Sequence, residues 1–280
     1  MKKFCCILLS LMLLLPALAP AEEEELLFEE VDENEESVSE AAWTFPVSLE
    51  DMKPDFVVLA NKHYLLDKDF AAQPLVKVKK LKLNKDGSVK TPGVRWAVGS
   101  QMKLQEDCYQ ALIEMSDAAR ADGYNLYLKS AYRSWQTQNT MYKNRLKKNN
   151  GKDDGWVSKA GASDHQTGLG CDVIPKSWIK AKGMNDKMAK EPECVWMAEH
   201  CQEFGFILRY PADKEEVTEI HYEPWHMRYV GIPAATYIME NGLCLEEFTE
   251  ELQQAIRDYL EAGGDRSRVE KFIQNPTEEN

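Results

Sequence analysis

Two of the five histidines in this 280-residue chain stand in segments whose residue types could do chemistry together. One segment is Ser163-Asp164-His165-Gln166-Thr167-Gly168-Leu169-Gly170-Cys171-Asp172, and the other is Glu223-Pro224-Trp225-His226. In the first, the glycines argue against a helix and for a loop that enters a strand; a turn at Gly168 lets His165 and Asp172 converge. In the second, Pro224 disfavours a helix. Positions 223 and 226 of a strand would face opposite sides, so a local bend is needed to bring Glu223 and His226 to one place. Two histidines and an aspartate make a three-ligand set that leaves zinc an open position, and oxygen and imidazole nitrogen both suit that metal. Glu223 is then a spare carboxylate beside a ligand. A catalytic zinc, which lowers the pKa of bound water from about 15.7 to near 7, needs such a group to take the proton. Spacing alone reads as a metal hydrolase, without the HExxH helix of common zinc proteases.

The elements that must position these residues follow from apolar periodicity. Leu75–Leu83 roughly alternates apolar residues with lysines and ends at the turn signal Asn84-Lys85-Asp86-Gly87, which reads as a strand entering a hairpin. Its lysines read either as solvated edge-strand charges or as contacts to an anionic wall polymer. Ser100 can cap a helix whose apolar positions are Leu104, Cys108, Leu112, Met115 and Ala119, stopped by Gly123. Strands are expected at Tyr124–Leu128, Phe206–Tyr210 and His221–Val230, and helices at Ser134–Lys147, Pro192–Gly205, from Pro233 to near Gly242, and Leu245–Ala262. Helices and strands do not alternate regularly, so the expected fold class is α+β, a small antiparallel sheet flanked by helices. On this reading His221 shares a strand face with Glu223 and is placed to tune it, while His63 and His200 carry no chemistry.

The ends of the chain differ from its body. Met1-Lys2-Lys3, a short apolar run and Ala19-Pro20-Ala21 make residues 1–21 a secretory signal peptide. An uncleaved anchor is the alternative, although the apolar run is shorter than the roughly 20 residues a spanning helix needs. Residues 22–42 read as an acidic disordered spacer, 43–245 as the catalytic domain, and 246–280 as an acidic C-terminal helix and tail. Net charge is −13, yet residues 22–40 alone carry eleven acids and no base, so the body at 41–245 is close to neutral. A total this acidic makes the chain a poor candidate for nucleic-acid binding, which rewards a basic face. The expected location is extracytoplasmic and associated with the cell wall, with no stable membrane partner unless the N-terminus is retained, and the chain is expected to be a monomer. Five cysteines follow the signal segment. An odd number leaves at least one thiol unpaired. Cys194 and Cys201 lie about 10 Å apart along one helix, too far to pair.

The two chemistry-bearing segments, extended through Met227-Arg228-Tyr229-Val230-Gly231, closely resemble the VanY-type D-alanyl-D-alanine carboxypeptidase family and its L,D-carboxypeptidase relatives. Ser130-Ala131-Tyr132-Arg133-Ser134 with Gln138, Phe204-Gly205-Phe206-Ile207-Leu208-Arg209-Tyr210-Pro211 and Leu59-Ala60-Asn61-Lys62 extend the likeness over roughly residues 55 to 245. The resemblance implies the small α+β zinc peptidase domain shared with the hedgehog signalling domain. It implies His165, Asp172 and His226 as zinc ligands and Glu223 as general base. It also implies Arg133 as a contact to substrate and oxyanion, with Gln138, Ser163 and Tyr210 lining the pocket for the peptide's C-terminus. Asp164 stands where many relatives have Glu, Ala131 where Gly is common, and Ala160-Gly161-Ala162 in place of a Pro-Gly-containing approach. The implied activity is removal of the terminal D-alanine from peptidoglycan stem peptides. The alternatives are a non-catalytic wall-binding module with structural zinc, which has no need of Glu223, and an endopeptidase.

Overall fold

The computed structural model describes residues 41–70, 74–86 and 88–277. The expected signal segment and nearly all of the acidic spacer lie outside the described residues. In chain order the elements are β1 (Leu75–Lys77), β2 (Lys79–Lys80), β3 (Trp96–Ala97), β4 (Lys103–Gln105), α1 (Glu106–Ala121), β5 (Leu126–Ser130), α2 (Trp135–Lys148), β6 (Gly170–Pro175), α3 (Pro192–His200), β7 (Phe206–Leu208), α4 (Glu215–Thr218), β8 (His226–Tyr229), α5 (Ile232–Glu240), α6 (Leu245–Glu261) and α7 (Arg266–Val269). Six strands form one sheet in the order β2-β3-β5-β6-β8-β7, and β1 pairs with β4 in a separate ribbon. The fold is α+β. The four strands β5-β6-β8-β7 are antiparallel throughout, and the short β3 and β2 extend the sheet in parallel at one edge.

The sheet is covered by two apolar clusters. One gathers Leu112 and Met115 of α1, Met197 of α3 and the sheet residues Leu126, Leu128 and Val173. The other gathers Phe248, Leu252, Ile256 and Tyr259 of α6 against Phe45, Leu49 and Ile238. The α6 residues recur at spacings of three and four, a helix's single apolar stripe. In β7, Phe206 and Leu208 belong to the first cluster and Ile207 to the second, following the period of two. β6 is buried along its whole length, as a strand covered on both faces must be.

Several boundaries differ from the sequence reading. Residues 75–83 are not one strand: β1 stops at Lys77, buried Val78 donates its N–H to the Met102 carbonyl, and β2 pairs with β3 instead. The hairpin tip survives as a bridge between Leu83 and Val89 closed by Asn84 and Ser88. α1 begins at Glu106 rather than near Ser100, because Lys103–Gln105 is drawn into pairing with β1. α3 ends at His200 and a tighter turn runs Cys201–Phe204 to Gly205. All five described cysteines are free and buried. β8 starts only at His226, so His221 is not on a strand. It lies 3.3 Å from Glu215 and packs on Trp156, away from the role of tuning Glu223. Among the described residues no helix is long and apolar enough to cross a membrane.

Candidate active site

His165 sits in a single tight turn, Asp164–Thr167, whose end is marked by Gly168 at φ 73°. That left-handed conformation suits glycine and reverses the chain into β6. Gly170 is held close under the same turn: a Cβ there would lie 2.8 Å from the Asp164 Cβ and 2.9 Å from its carbonyl carbon. Asp172 follows on β6 and pairs in register with His226 of β8 on one side and Ser130 of β5 on the other. Directly opposed residues share a face, so the antiparallel ladder itself brings Asp172 and His226 together. The expected bend before His226 is a turn over Pro224 and Trp225, in which the His226 N–H donates to the Glu223 carbonyl at 3.0 Å. Glu223 thereby returns to the face of His226, its Oε2 3.2 Å from the His226 Nδ1.

His165, Asp172 and His226 each offer a donor atom, all within 4.8 Å of one another. The His165 Nδ1 lies 2.7 Å from the Ala131 carbonyl, so that nitrogen carries the proton and Nε2 presents its lone pair. Burial, reinforced by the Arg133 guanidinium, pushes the His165 pKa down to about 4. For Asp172, burial alone would raise the pKa, but His165, His226 and Arg133 outweigh it and hold the carboxyl ionised. The His165 Nε2 and Asp172 Oδ1 are therefore two lone-pair donors 3.4 Å apart, and among the described residues neither has a hydrogen-bond partner. The His226 Nδ1 lies 3.5 Å from the same Asp172 oxygen. Two buried acceptors so placed repel unless a cation holds them. Ligands about 2.0–2.1 Å from a tetrahedral zinc lie about 3.3–3.4 Å from each other, close to the 3.4 and 3.5 Å that separate Asp172 Oδ1 from the two histidine nitrogens. The residues fit zinc.

The cavity above these atoms measures about 310 Å³ and is lined by every residue the sequence singled out: Arg133, Gln138, Ser163, His165, Asp172, Tyr210, Glu223 and His226. These residues, up to 93 positions apart along the chain from Arg133 to His226, thus meet in one place. Burial raises the Glu223 pKa, partly offset by His226, which makes it a better proton acceptor than a solvated carboxylate. Burial likewise raises the Tyr210 pKa, keeping a phenol O–H available as a donor; its ring stands edge-on to His226. The Arg133 Nε and Gln138 Oε1 are buried without partners among the described residues, while the Gln138 amide nitrogen is fixed on the Ser158 carbonyl. A donor and an acceptor left unspent in a cavity are what a polar ligand would take up.

The match to known proteins agrees with this geometry. The family model for VanY, D-alanyl-D-alanine carboxypeptidase, matches residues 101–232. YodJ of Bacillus subtilis (strain 168) is 32% identical over 204 residues, covering 71% of this chain and 69% of that protein. This chain belongs to the VanY-type carboxypeptidase family. Among solved structures, the LdcB LD-carboxypeptidase shares 32% identity at a TM-score of 0.58, covering 71% of this chain and 87% of that one. A point mutant of the D,D-pentapeptidase VanY in complex with Zn(II) shares 29% identity at a TM-score of 0.50, covering 69% and 98%. The chain is thus a cell-wall peptidase of a hydrolase family.

Four residues beneath the VanY-type site were not singled out as a functional group by the sequence. Asp164, fully buried, accepts from the Arg209 Nε at 2.7 Å and from the Arg228 Nη1. Arg209 also donates through both terminal nitrogens to Glu246 of α6, at 2.7 and 2.6 Å. Arg228 caps the carbonyls of Phe56 and Val58. Burial alone would raise the Asp164 pKa, but Arg228 and Arg209 reverse that and keep it low. Asp164 Oδ2 is 3.9 Å from the outer nitrogen of His226, so this ionic group lies directly against the ring of a candidate ligand. The available signal was the cluster of charged residues inside otherwise apolar segments: Asp164 beside His165, Arg209 in Phe-Ile-Leu-Arg-Tyr, and Arg228 within β8.

Proposed function

We propose that the protein is a zinc-dependent carboxypeptidase that removes the terminal D-alanine from peptidoglycan stem peptides, acting outside the cytoplasm. The observation that carries the reading is the convergence of three donor atoms, two of them without protein partners, beside the raised-pKa carboxylate of Glu223 in one cavity. His165 Nε2, Asp172 Oδ1 and His226 Nδ1 would hold the metal. Bound there, zinc supplies Lewis-acid polarisation and an acidified water. Glu223 accepts the proton of the attacking water and hands it to the leaving amine, the two roles of one general acid–base group. Arg133, whose Nε is unspent, donates to the substrate and to the negative charge that develops on the scissile carbonyl oxygen. Gln138, Ser163 and Tyr210 supply polar contacts for the peptide's terminal carboxylate. Support for the substrate comes from relatives whose names specify D-alanyl-D-alanine carboxypeptidase or LD-carboxypeptidase.

The test is mass spectrometry of purified tetrapeptide and pentapeptide stems incubated with the protein, with and without chelator. Loss of one alanine, stopped by chelator and restored by zinc, is the expected result. Stems left intact by zinc-loaded protein that still binds cell wall would overturn the proposal in favour of a binding module. Cleavage inside the stem would make it an endopeptidase.

A further inference from the structure

On a protein with an acidic total, one stretch of the chain is strongly basic. Between residues 74 and 105 the chain carries seven lysines, Lys77, Lys79, Lys80, Lys82, Lys85, Lys90 and Lys103, against a single acid, Asp86. All seven are exposed. Among the described residues the lysines in ion pairs are Lys53, Lys62 and Lys214, so none of the seven is neutralised. β2 is the outer strand of the sheet, and lysines on an edge strand discourage pairing with another chain. That explains Lys79 and Lys80. The same reason covers Lys77 and Lys103 on β1 and β4, both edge strands of a two-stranded ribbon. It does not explain charges on the 82–90 hairpin and on a different segment altogether: Lys176 and Lys180 flank a hollow of about 460 Å³ whose other wall is Leu83 and Val89 of the hairpin. A second hollow, of about 630 Å³, is lined by Lys77, Lys79, Lys80 and Lys82 with Ser100 and Gln101.

The placement of this face relative to the catalytic cavity gives it a use. The segment that contributes Lys176, Ile179 and Lys180 to the basic hollow contributes Gly183 and Met184 to the cavity that holds His165 and Glu223. Lys129 of β5 pins that segment by donating to the carbonyls of Ile179 and Ala181. A charged chain lying in the hollow at Lys176 and Lys180 is therefore separated from the catalytic cavity by a few residues of backbone.

We propose that this lysine face docks a phosphate-bearing anionic polymer linked to the cell wall, and so holds the enzyme where its peptide substrate is. Two hollows with lysines along their walls suit a flexible chain that can enter them; a bilayer surface contacts projections. Charge complementarity fixes the sign of the partner: the exposed lysines that line the hollows, Lys77, Lys79, Lys80 and Lys82 in one and Lys176 and Lys180 in the other, would meet a polyanion. That the polymer is attached to wall rests on the proposed substrate; the polyanion site itself does not.

The probe is linear inorganic polyphosphate, and the protein is the full zinc-loaded chain. Binding is read by fluorescence anisotropy alongside hydrolysis of a soluble stem peptide. Lys79→Gln/Lys80→Gln/Lys82→Gln removes three charges from the face, and Lys143→Gln/Lys147→Gln/Lys148→Gln removes three from α2. With about 0.7 of a counterion released per phosphate contact, losing three contacts weakens binding roughly 10- to 100-fold near 0.1 M salt. That loss is expected for the first triple variant alone, with peptide hydrolysis unchanged in both. An equal loss in both variants would mean that only net charge matters and would overturn the site. So would absence of polyphosphate binding by the wild type, or binding to phosphatidylglycerol vesicles in its place. Failure of peptide hydrolysis with the polyphosphate result intact would strike the catalytic reading and leave this one standing.

Discussion

Two groups of buried ionisable side chains lie against each other in this protein, and they are built on opposite principles. In the Asp164–Arg209–Arg228–Glu246 group the charged groups meet partners of opposite sign at hydrogen-bond distance, and Arg228 finds carbonyls as well. Two cations and two anions sum to zero. In the His165–Asp172–His226 group the donor atoms face one another and His165 Nε2 and Asp172 Oδ1 are left without partners. Asp164, Arg209 and Arg228 are as deeply buried as His165, Asp172 and His226. Since an unsatisfied buried polar group is costly, the first group is explained by the fold alone and the second is not. The contrast separates residues whose charges the fold satisfies from residues whose donor atoms it leaves facing one another, although Asp164 and His165 are adjacent in sequence.

The largest expected effect tests the second group. Glu223→Gln keeps the shape and one carbonyl acceptor but removes the basic oxygen. Turnover should fall by the upper end of about 10²–10⁴-fold, because one group serves both proton transfers. Zinc content, measured by metal analysis, should remain near one per chain. His165→Ala and His226→Ala should lose turnover together with most of the zinc. Full zinc retention in both histidine variants would mean that the ligand set is wrong, and wild-type turnover in Glu223→Gln would rule out its role.

The first group predicts the reverse pattern. Asp164→Ala leaves Arg209 and Arg228 buried beside each other with one carboxylate fewer. Breaking a buried pair by removing one partner destabilises by about 3–5 kcal/mol, so chemical denaturation should show a loss of that order. Activity per folded molecule should fall less than in Glu223→Gln. A stability unchanged within about 1 kcal/mol would show that water or rearrangement compensates the arginines, and the sharp division between the groups would fail.

The two groups also differ in how far the sequence discloses them. The convergence of the candidate ligands is legible because they sit in short motifs where glycine and proline announce the turns: Gly168 reverses the chain after His165, and Pro224 enters the bend before His226. Local signals also located α2, which begins after the Ser134 cap, and α6, whose apolar stripe is regular. The ionic group is non-local. Arg209 reaches Asp164 across 45 residues and Glu246 across 37, and no local pattern specifies either partner. The same limit explains α1. Leu104 stands four residues before Cys108, as a helix position would, yet it belongs to β4 because Val76 of β1 lies opposite. His221 was misplaced for a related reason: period-two counting from Glu223 assumes a strand, and the chain there is a loop until His226. The amphipathic helix expected over Leu245–Ala262 is α6, which packs its apolar face through Phe248 and Leu252.

Glu246 is where the comparison can be drawn most finely, because it is the only member of the ionic group near solvent, with its side chain about 10% exposed against 0% for Arg209. Glu246→Gln removes a charge but keeps an oxygen that can accept from Arg209 and a size that fits. A hydrogen bond to a charged group is worth about 1.5–3 kcal/mol, and the amide retains part of that, so the expected destabilisation is about 1 kcal/mol. Arg209 keeps Asp164 and so is not left unpaired. Zinc affinity and kcat should stay at wild-type values, because Glu246 is linked to the candidate ligands through Arg209 and Asp164 rather than by direct contact with them. Denaturation midpoints together with a zinc titration check both halves. If Glu246→Gln instead weakened zinc binding tenfold or more at nearly unchanged stability, the chain Glu246–Arg209–Asp164 would be tuning His226 electrostatically. The two groups would then be one working unit.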